Sequence, residues 1–160
     1  MVRYWAAFAL VLACSTPIAA HVGVNPSSQA GALQPSARDA AAIVDAFHAA
    51  LRRGDLSAAS ALLAADALIF ESGSVERTKA EYEAKHLPAD AQFSRAVPST
   101  LIRRSGQSDG STAWIASEGR VTGTFKGKKV DRLTTETMVL RRDRAAWKIV
   151  HIHWSSGAAP

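Results

Sequence analysis

The chain has few of the residues that mark several common protein classes. Only one of its 160 residues is a cysteine, which excludes a disulfide framework and a zinc module built on several cysteines. No apolar run reaches the roughly 18 residues that a membrane-spanning helix needs. The net charge of +5 is spread over separated arginine pairs, so no nucleic-acid partner is predicted. What remains, 48% hydrophobic residues in a single-domain length, predicts one globular domain.

The first 20 residues have the pattern of a secretory signal peptide. Arg3 supplies the positive charge, residues 4–13 are apolar, and small residues follow as far as Ala20. Cleavage after Ala20 would make the protein periplasmic or secreted. Residues 11–14 also resemble a lipobox, so the alternative is a lipid anchor on Cys14. Without that lipid, no membrane association is expected.

The remaining chain divides by composition into a linker, a domain and a tail. Residues 21–35 are rich in Gly, Pro, Ser, Asn and Gln without an apolar period, which predicts a flexible linker. The domain is expected over residues 36–156, with a short tail over 157–160. Its first half predicts a helix ending at Arg53, a second short helix, a strand over 67–71, and a third helix that stops near Leu87 because Pro88 follows.

The apolar period changes to two in the second half of the domain. Tight turns separate four predicted strands, over residues 99–104, 111–125, 129–142 and 146–154. Successive strands joined by such turns predict an antiparallel meander. Helices followed by strands indicate an α+β fold in which a curved sheet wraps around the helices and leaves a pocket between the layers.

This order of elements resembles the nuclear transport factor 2-like superfamily, which includes the SnoaL-like proteins. The segment from Trp147 to Ser156 carries the most specific similarity, and it is also similar to the last strand of the calcium/calmodulin-dependent kinase II association domain. The resemblance implies N-terminal helices packed on a strongly curved antiparallel sheet, a cone-like shape with an internal pocket, and a homodimer formed through the sheet. It implies little about chemistry, because the fold hosts isomerases, dehydratases, cyclases, binding modules and assembly domains.

Two histidines on the last predicted strand are the first candidates for chemistry. His151 and His153 are two positions apart, so they should point to the same face. If residues 143–144 form a two-residue turn, Glu136 lies opposite His151. Such a cluster suits general acid–base catalysis or a divalent metal. It could equally be a structural hydrogen-bonded group inside a polar cavity.

The pocket is expected to be lined by six further side chains, namely Trp114, Trp147, Ile149, His86, Tyr82 and Glu71. Trp147 and Ile149 should share the face of the histidine pair, which the resemblance directs toward the helices. The resemblance also implies that the helix ending at His86 borders the pocket mouth. His86, His151 and His153 could then hold a metal, although a histidine at a helix end also favours the helix dipole.

Four functions remain open at this point. The preferred one is an exported protein that binds a small, partly apolar molecule without a cofactor. The second is an isomerase, dehydratase or cyclase with His151 or His153 as base and Glu136 as the orienting acid. The third is a metal-binding protein that uses a divalent cation, and the fourth is an assembly module. No Walker loop, dinucleotide fingerprint or nucleophile elbow occurs in the sequence.

Overall fold

A computed structural model describes residues 31–160, so the predicted signal peptide and most of the predicted linker lie outside the described residues. The helices are α1 (Arg38–Arg53), α2 (Leu56–Leu62), α3 (Lys79–Lys85) and α4 (Leu87–Ala96), and a 3₁₀ turn (Pro35–Ala37) precedes them. The strands are β1 (Leu63–Glu71), β2 (Ser74–Glu76), β3 (Ser99–Ser108), β4 (Thr112–Phe125), β5 (Lys128–Asp143) and β6 (Ala146–Ala158). None of the described helices combines the length and hydropathy that a membrane crossing requires.

The strands form one six-stranded sheet in the order β2-β1-β6-β5-β4-β3. The strands β3 to β6 pair in sequence as an antiparallel meander, as predicted. The strand β1 pairs in parallel with β6, which places the first and last strands side by side in the sheet. Helices cover one face of this sheet, so the predicted α+β fold is confirmed.

The helix α1 packs its apolar stripe on the sheet. Val44, Phe47 and Leu51 recur at helical spacing and are buried in the main core. Gly54 ends the helix with a φ of 71°, a left-handed conformation that a glycine adopts without steric cost. The carboxylate of Asp55 then accepts a hydrogen bond from the Ala58 backbone N–H and starts α2.

The third predicted helix is in fact two helices. Thr78 caps α3 by accepting a bond of 3.1 Å from the Glu81 backbone N–H, and α3 ends at Lys85. Pro88 does not end the helical region, because a proline fits the first turn of a helix, where its missing N–H would be unpaired anyway. It starts α4, which sequence reasoning missed. This helix carries Asp90 toward the sheet.

The strand β6 contains a β-bulge at Val150. Leu140 of β5 pairs with Ile149, and the preceding residue Val139 pairs with His151. Val150 is therefore an extra residue of β6 without a partner on β5, and the side-chain alternation shifts by one position after it.

The bulge determines which side chains of β6 face the helices. Trp147 and Ile149 are 6% and 0% exposed in the main core. After the bulge, Ile152 continues the core face, and His151 and His153 point to the opposite face of the sheet. The prediction that the two histidines share a face with Trp147 and Ile149 was wrong, because it assumed an uninterrupted period of two.

The register of the last hairpin also differs from the prediction. Asp143 pairs with Ala146, so the turn consists of residues 144–145 rather than 143–144. Together with the bulge, this shift pairs Glu136 with Trp154 instead of His151. The predicted cross-strand contact between Glu136 and His151 is therefore not formed.

Both ends of the domain extend further than predicted. Leu33 forms a parallel bridge with Gly106, and the Gln34 backbone N–H donates to the Gly106 carbonyl at 2.8 Å. Residues 33–35 are thus part of the folded domain, although the sequence placed them in the linker. The predicted tail begins inside β6, which runs to Ala158.

Candidate functional site

A cavity of about 350 Å³ lies between the sheet and the helices α1 and α4. Its apolar wall includes Leu51 from α1, Phe93 from α4, and Val97 directly after α4. Charged side chains from α1, α4 and the sheet line the rest of the cavity, namely Asp45, His48, Arg52, Glu71, Asp90, Arg104, Glu118, Arg132 and Glu136. The cavity therefore combines an apolar surface with an unusual density of ionisable groups.

A row of five side chains crosses the sheet and forms what we call the cavity floor. Glu71 of β1 pairs with Trp154 of β6, which pairs with Glu136 of β5. Glu136 pairs in turn with Ser117 of β4, and Ser117 with Arg104 of β3. Paired residues on neighbouring strands point to the same face. All five line the cavity, so its floor runs from an acid on β1 to a base on β3.

Glu136 is the central charged group of the floor and is only 8% exposed. Its Oε2 atom accepts a hydrogen bond of 2.7 Å from the Trp154 indole N–H and lies 2.7 Å from His48 Nε2. Burial raises the pKa of Glu136, but the hydrogen bond and charge of His48, the Trp154 hydrogen bond and the charge of Arg104 together outweigh burial and leave this pKa below its ordinary value. Its Oε1 atom has no hydrogen-bond partner among the described residues.

Asp90 faces the cavity from the first turn of α4. Its Oδ2 atom accepts a hydrogen bond of 2.7 Å from the buried Tyr82 hydroxyl. Burial raises the pKa of Asp90 to about 6; the Tyr82 hydrogen bond lowers this pKa, and the charge of Glu71 raises it further. Burial and the neighbouring Asp90 also raise the pKa of Tyr82, so the phenol remains a proton donor at neutral pH.

Glu71 is half-buried at the end of β1 and lies near the buried acid Glu76. Burial raises the pKa of Glu71, the charge of His86 opposes this shift, and the charge of Glu76 adds to it. Glu76 is 2% exposed; one of its carboxylate oxygens bonds His86 Nδ1, and the other has no partner among the described residues. Glu71, Glu76 and Asp90 thus make the β1 end of the cavity strongly acidic.

The other end of the floor is basic and internally paired. Arg104 is 13% exposed and lies 2.6 Å from an Asp45 carboxylate oxygen. Its Nε–H donates to the Ser117 hydroxyl at 3.2 Å. Arg132 donates to the hydroxyl and carbonyl oxygens of Ser156.

The structure brings some of the predicted site residues to the cavity. Glu71 and Glu136 line its floor, as side chains on the helix face of the sheet. Tyr82 is buried behind the wall and acts on the cavity through its hydrogen bond to Asp90. His86 lies beside the acidic end, where it pairs with Glu76.

His151 and His153 lie outside the cavity. They occupy the sheet face away from the helices, here called the outer face, with ring centroids 5.2 and 6.1 Å from that of Phe70. The Nδ1 atom of His151 is 2.8 Å from the Leu68 carbonyl oxygen. The predicted acid–base cluster with Glu136 is therefore not formed. His86 lies on the helix side, so the predicted three-histidine metal site is not formed either, and the described residues contain no group of three metal-ligating side chains.

Three predicted pocket-lining residues also lie elsewhere. Trp114 is 40% exposed on the outer face, where its partner Val139 is also the partner of His151. Trp147 and Ile149 are buried in the core, and neither lines the cavity. The bulge explains why His151 and His153 face away from the cavity. Trp147 and Ile149 lie on the predicted face but do not reach the cavity.

Sequence reasoning missed His48, Asp90 and Trp154. His48 follows the core residue Phe47 on α1, and no local sequence signal marks it as a site residue. Asp90 belongs to α4, and its position two residues after Pro88 is the one available signal, because acids favour a first helical turn. An uninterrupted period of two from Trp147 would put Trp154 on the outer face, and only the bulge at Val150 brings it to the cavity.

The helix-covered curved sheet and its internal polar cavity define a nuclear transport factor 2-like domain. The chain belongs to the SnoaL-like domain family, whose model matches residues 40–159. Among curated protein sequences, none matches the chain.

Solved structures show the same fold. A candidate ketosteroid isomerase from Shewanella frigidimarina is 36% identical, with a TM-score of 0.70 over 73% of this chain and 94% of that one. A candidate calcium/calmodulin-dependent protein kinase II association domain from Xanthomonas campestris is 27% identical, with a TM-score of 0.62 over 81% and 94%. A candidate dehydratase from Streptomyces avermitilis is 23% identical, with a TM-score of 0.62 over 76% and 96%, a likeness of fold.

Proposed function

We propose that the protein binds a small, partly apolar molecule in the cavity between the sheet and the helices α1 and α4. The observation that carries this proposal is the cavity itself, whose volume of about 350 Å³ falls in the range of roughly 300–1,000 Å³ typical of ligand sites. Apolar residues such as Phe93 provide burial for a ligand, and a few charged side chains provide orientation. The kinship with the SnoaL-like family supports a pocket function.

A pair of tryptophan substitutions on α4 tests this proposal. Ser94 lines the cavity, whereas Ala89 is exposed on the same helix. Ligand-observed NMR with a library of small aromatic and alicyclic molecules should detect binding to the native chain. Ser94→Trp should abolish that binding because the indole fills the cavity, and Ala89→Trp should retain it. Binding that survives Ser94→Trp, or a library without any binder, contradicts the proposal.

A second candidate function is proton transfer by Asp90. Its pKa of about 6 lies near neutrality, as a general base requires. The pKa of Glu136 is shifted in the opposite direction, and such divergence within one cavity is typical of acid–base sites. The 36% identity to the candidate ketosteroid isomerase supports this reading. Asp90 would then take the role that the sequence assigned to His151 or His153.

Deuterium incorporation measures this second function without knowledge of the natural substrate. A β,γ-unsaturated ketone that binds the cavity should gain deuterium in heavy water in the presence of the native chain. Asp90→Asn should remove this exchange, and Asp143→Asn, at an exposed position outside the cavity, should keep it. A native chain that binds the ketone without exchange would contradict proton transfer by Asp90 and leave the binding function standing.

We further propose that the protein is exported and forms a homodimer. Export rests on the signal-peptide pattern of residues 1–20, with Cys14 as the alternative site of lipid attachment. Mass spectrometry of the native N-terminus tests export, since a retained Met1 or Val2 contradicts cleavage.

Dimerisation is supported by the exposed Trp114 on the outer face of the sheet and by the association domain among similar structures.

A further inference from the structure

We propose that the molecule bound in the cavity carries a cationic amine group, which Glu71 and Asp90 hold at the β1 end of the cavity floor beside Trp154. This inference rests on the proposed binding function, because it assigns a chemical class to the ligand of the same cavity. It also fixes the direction of that ligand, with the amine at the acidic end and the apolar part toward Phe93 and Val97.

Charge compensation differs between the two ends of the floor. Arg104, at the β3 end, has an ionic partner in Asp45. Among residues 31–160, neither Glu71 nor Asp90 forms an ion pair with a basic side chain. A partly buried carboxylate without a counter-charge is unfavourable, and a ligand cation would supply the missing charge.

The base nearest to the acidic end does not change this imbalance. His86 is bonded to Glu76, a third carboxylate that is 2% exposed and still has one oxygen without a partner in the described chain. Arg132 keeps its positive charge, because Ser156 is neutral, but it lies four residues along β5 from Glu136 and thus away from the acidic end. Arg52 and Glu118 carry opposite charges. The negative charge at this end is thus left for a ligand.

Glu136 provides an independent observation that points to a ligand. It is a charged side chain that is only 8% exposed and lines the cavity, yet its Oε1 atom has no hydrogen-bond partner in the described structure. Glu71 and Glu136 flank Trp154 in the floor. Their backbones are two strand spacings apart, about 10 Å. An ammonium group offers three N–H donors, whereas a hydroxyl group offers one. The Trp154 indole adds an aromatic surface that favours a cation.

Three probes with one aromatic tail separate amine recognition from simple apolar binding. Phenethylamine, phenethyl alcohol and hydrocinnamate are titrated into the full chain at neutral pH and followed by calorimetry. We expect the amine to bind about tenfold more tightly than the alcohol, which is the effect of one charge-assisted hydrogen bond. Hydrocinnamate should bind most weakly, because its carboxylate meets Glu71, Asp90 and Glu136.

Substitution of Glu71 assigns the preference to the acidic end. Glu71→Gln should reduce phenethylamine affinity about tenfold and leave phenethyl alcohol affinity unchanged. Asp143→Asn removes the same charge from an exposed position outside the cavity and should change neither affinity. Circular dichroism verifies that each variant is folded, and Asp90→Asn provides the same comparison if Glu71→Gln does not fold.

The outcomes separate this inference from the proposed function. Equal affinities for amine and alcohol, a preference for hydrocinnamate, or no binding of phenethylamine overturns the inference. The proposed function is then decided by the library screen with Ser94→Trp, which does not depend on the charge of the ligand.

Discussion

Glu136 shows how three elements combine to keep one buried charge. The strand β5 carries the carboxylate, β6 supplies the Trp154 indole N–H, and α1 supplies His48. A buried carboxylate needs such donors, because without them it would take up a proton. The floor of the cavity therefore has a fixed negative charge at its centre.

The Glu136 network predicts different costs for two substitutions. Glu136→Ala should lower the free energy of unfolding by about 2 kcal/mol, because Trp154 Nε1 and His48 lose their acceptor in a buried site. Glu136→Gln keeps an acceptor and should cost less. Urea denaturation of the two variants measures the difference. Equal stabilities for Ala and Gln would show that the hydrogen bonds contribute nothing.

Asp90 should affect stability in the opposite direction. Its folded pKa of about 6 lies above the unfolded value of about 3.9, so the ionised form destabilises the fold. This destabilisation is complete above pH 6 and disappears as the pH falls from the folded pKa to the unfolded one. The groups that face Asp90 are Tyr82, Glu71, Glu76 and His86.

The corresponding variant is Asp90→Asn, which keeps an acceptor for the Tyr82 hydroxyl. It should raise the free energy of unfolding by about 3 kcal/mol at neutral pH. Below the unfolded pKa of about 3.9, the gain should vanish, because both side chains are then neutral. Urea denaturation of the native chain and the variant, at neutral pH and below the unfolded pKa, measures this gain in stability. A gain that persists in acid would indicate a cause other than ionisation.

At the scale of single elements, the bulge in β6 determines which side chains of this strand face the helices. Before Val150, Trp147 and Ile149 face the core; after it, Ile152 and Trp154 take over the same face. The strand can therefore contribute both to the core and to the cavity floor.

Two single-residue deletions test this role of the bulge. Deletion of Val150 removes the extra residue and leaves every other side chain of β6 on its present face, so the variant should fold with modest loss of stability. Deletion of Ile152 turns Trp154 away from Glu136 and brings His153 into the core, so it should prevent cooperative folding. Thermal unfolding followed by circular dichroism compares them. Equal behaviour of the two deletions would contradict the assigned faces.

The sequence predicted elements with strong local signals and missed those without them. The end of α1 at Arg53 and the strands of the meander follow from local patterns. The bulge at Val150 has no such signal, because valine is an ordinary strand residue. A proline such as Pro88 is compatible with the start of a helix as well as with its end, so this residue alone does not distinguish the two.

In the candidate site, too, only the residues with a local sequence signal were predictable. Glu71 and Glu136 were recognisable as acids at a strand end and within a strand. Their partners were not, because His48 and Asp90 reach the cavity only through the packing of α1 and α4 on the sheet. Packing across sequence separations of this size leaves no periodic pattern in the chain.

At the scale of the whole molecule, the sheet has one face covered by helices and one that is open. The open outer face carries Trp114, Phe70, His151 and His153, and Trp114 is 40% exposed. A large aromatic side chain on such a face is typical of protein–protein contacts.

Light scattering coupled to size exclusion tests the proposed homodimer. The native domain should elute with twice the mass of one chain, and Trp114→Glu should reduce the mass to that of a monomer, because a buried carboxylate opposes association. Ala89→Glu places the same charge on α4, away from the outer face, and should leave the dimer intact. A monomeric native domain would contradict the proposal.

The most direct test of the central claim is a crystal structure of the chain soaked with the tightest binder from the library. We expect ligand density in the cavity, in contact with Trp154 and with Glu71 or Asp90. A ligand on the outer face beside His151 and His153, or a cavity filled by the protein's own side chains, would contradict it.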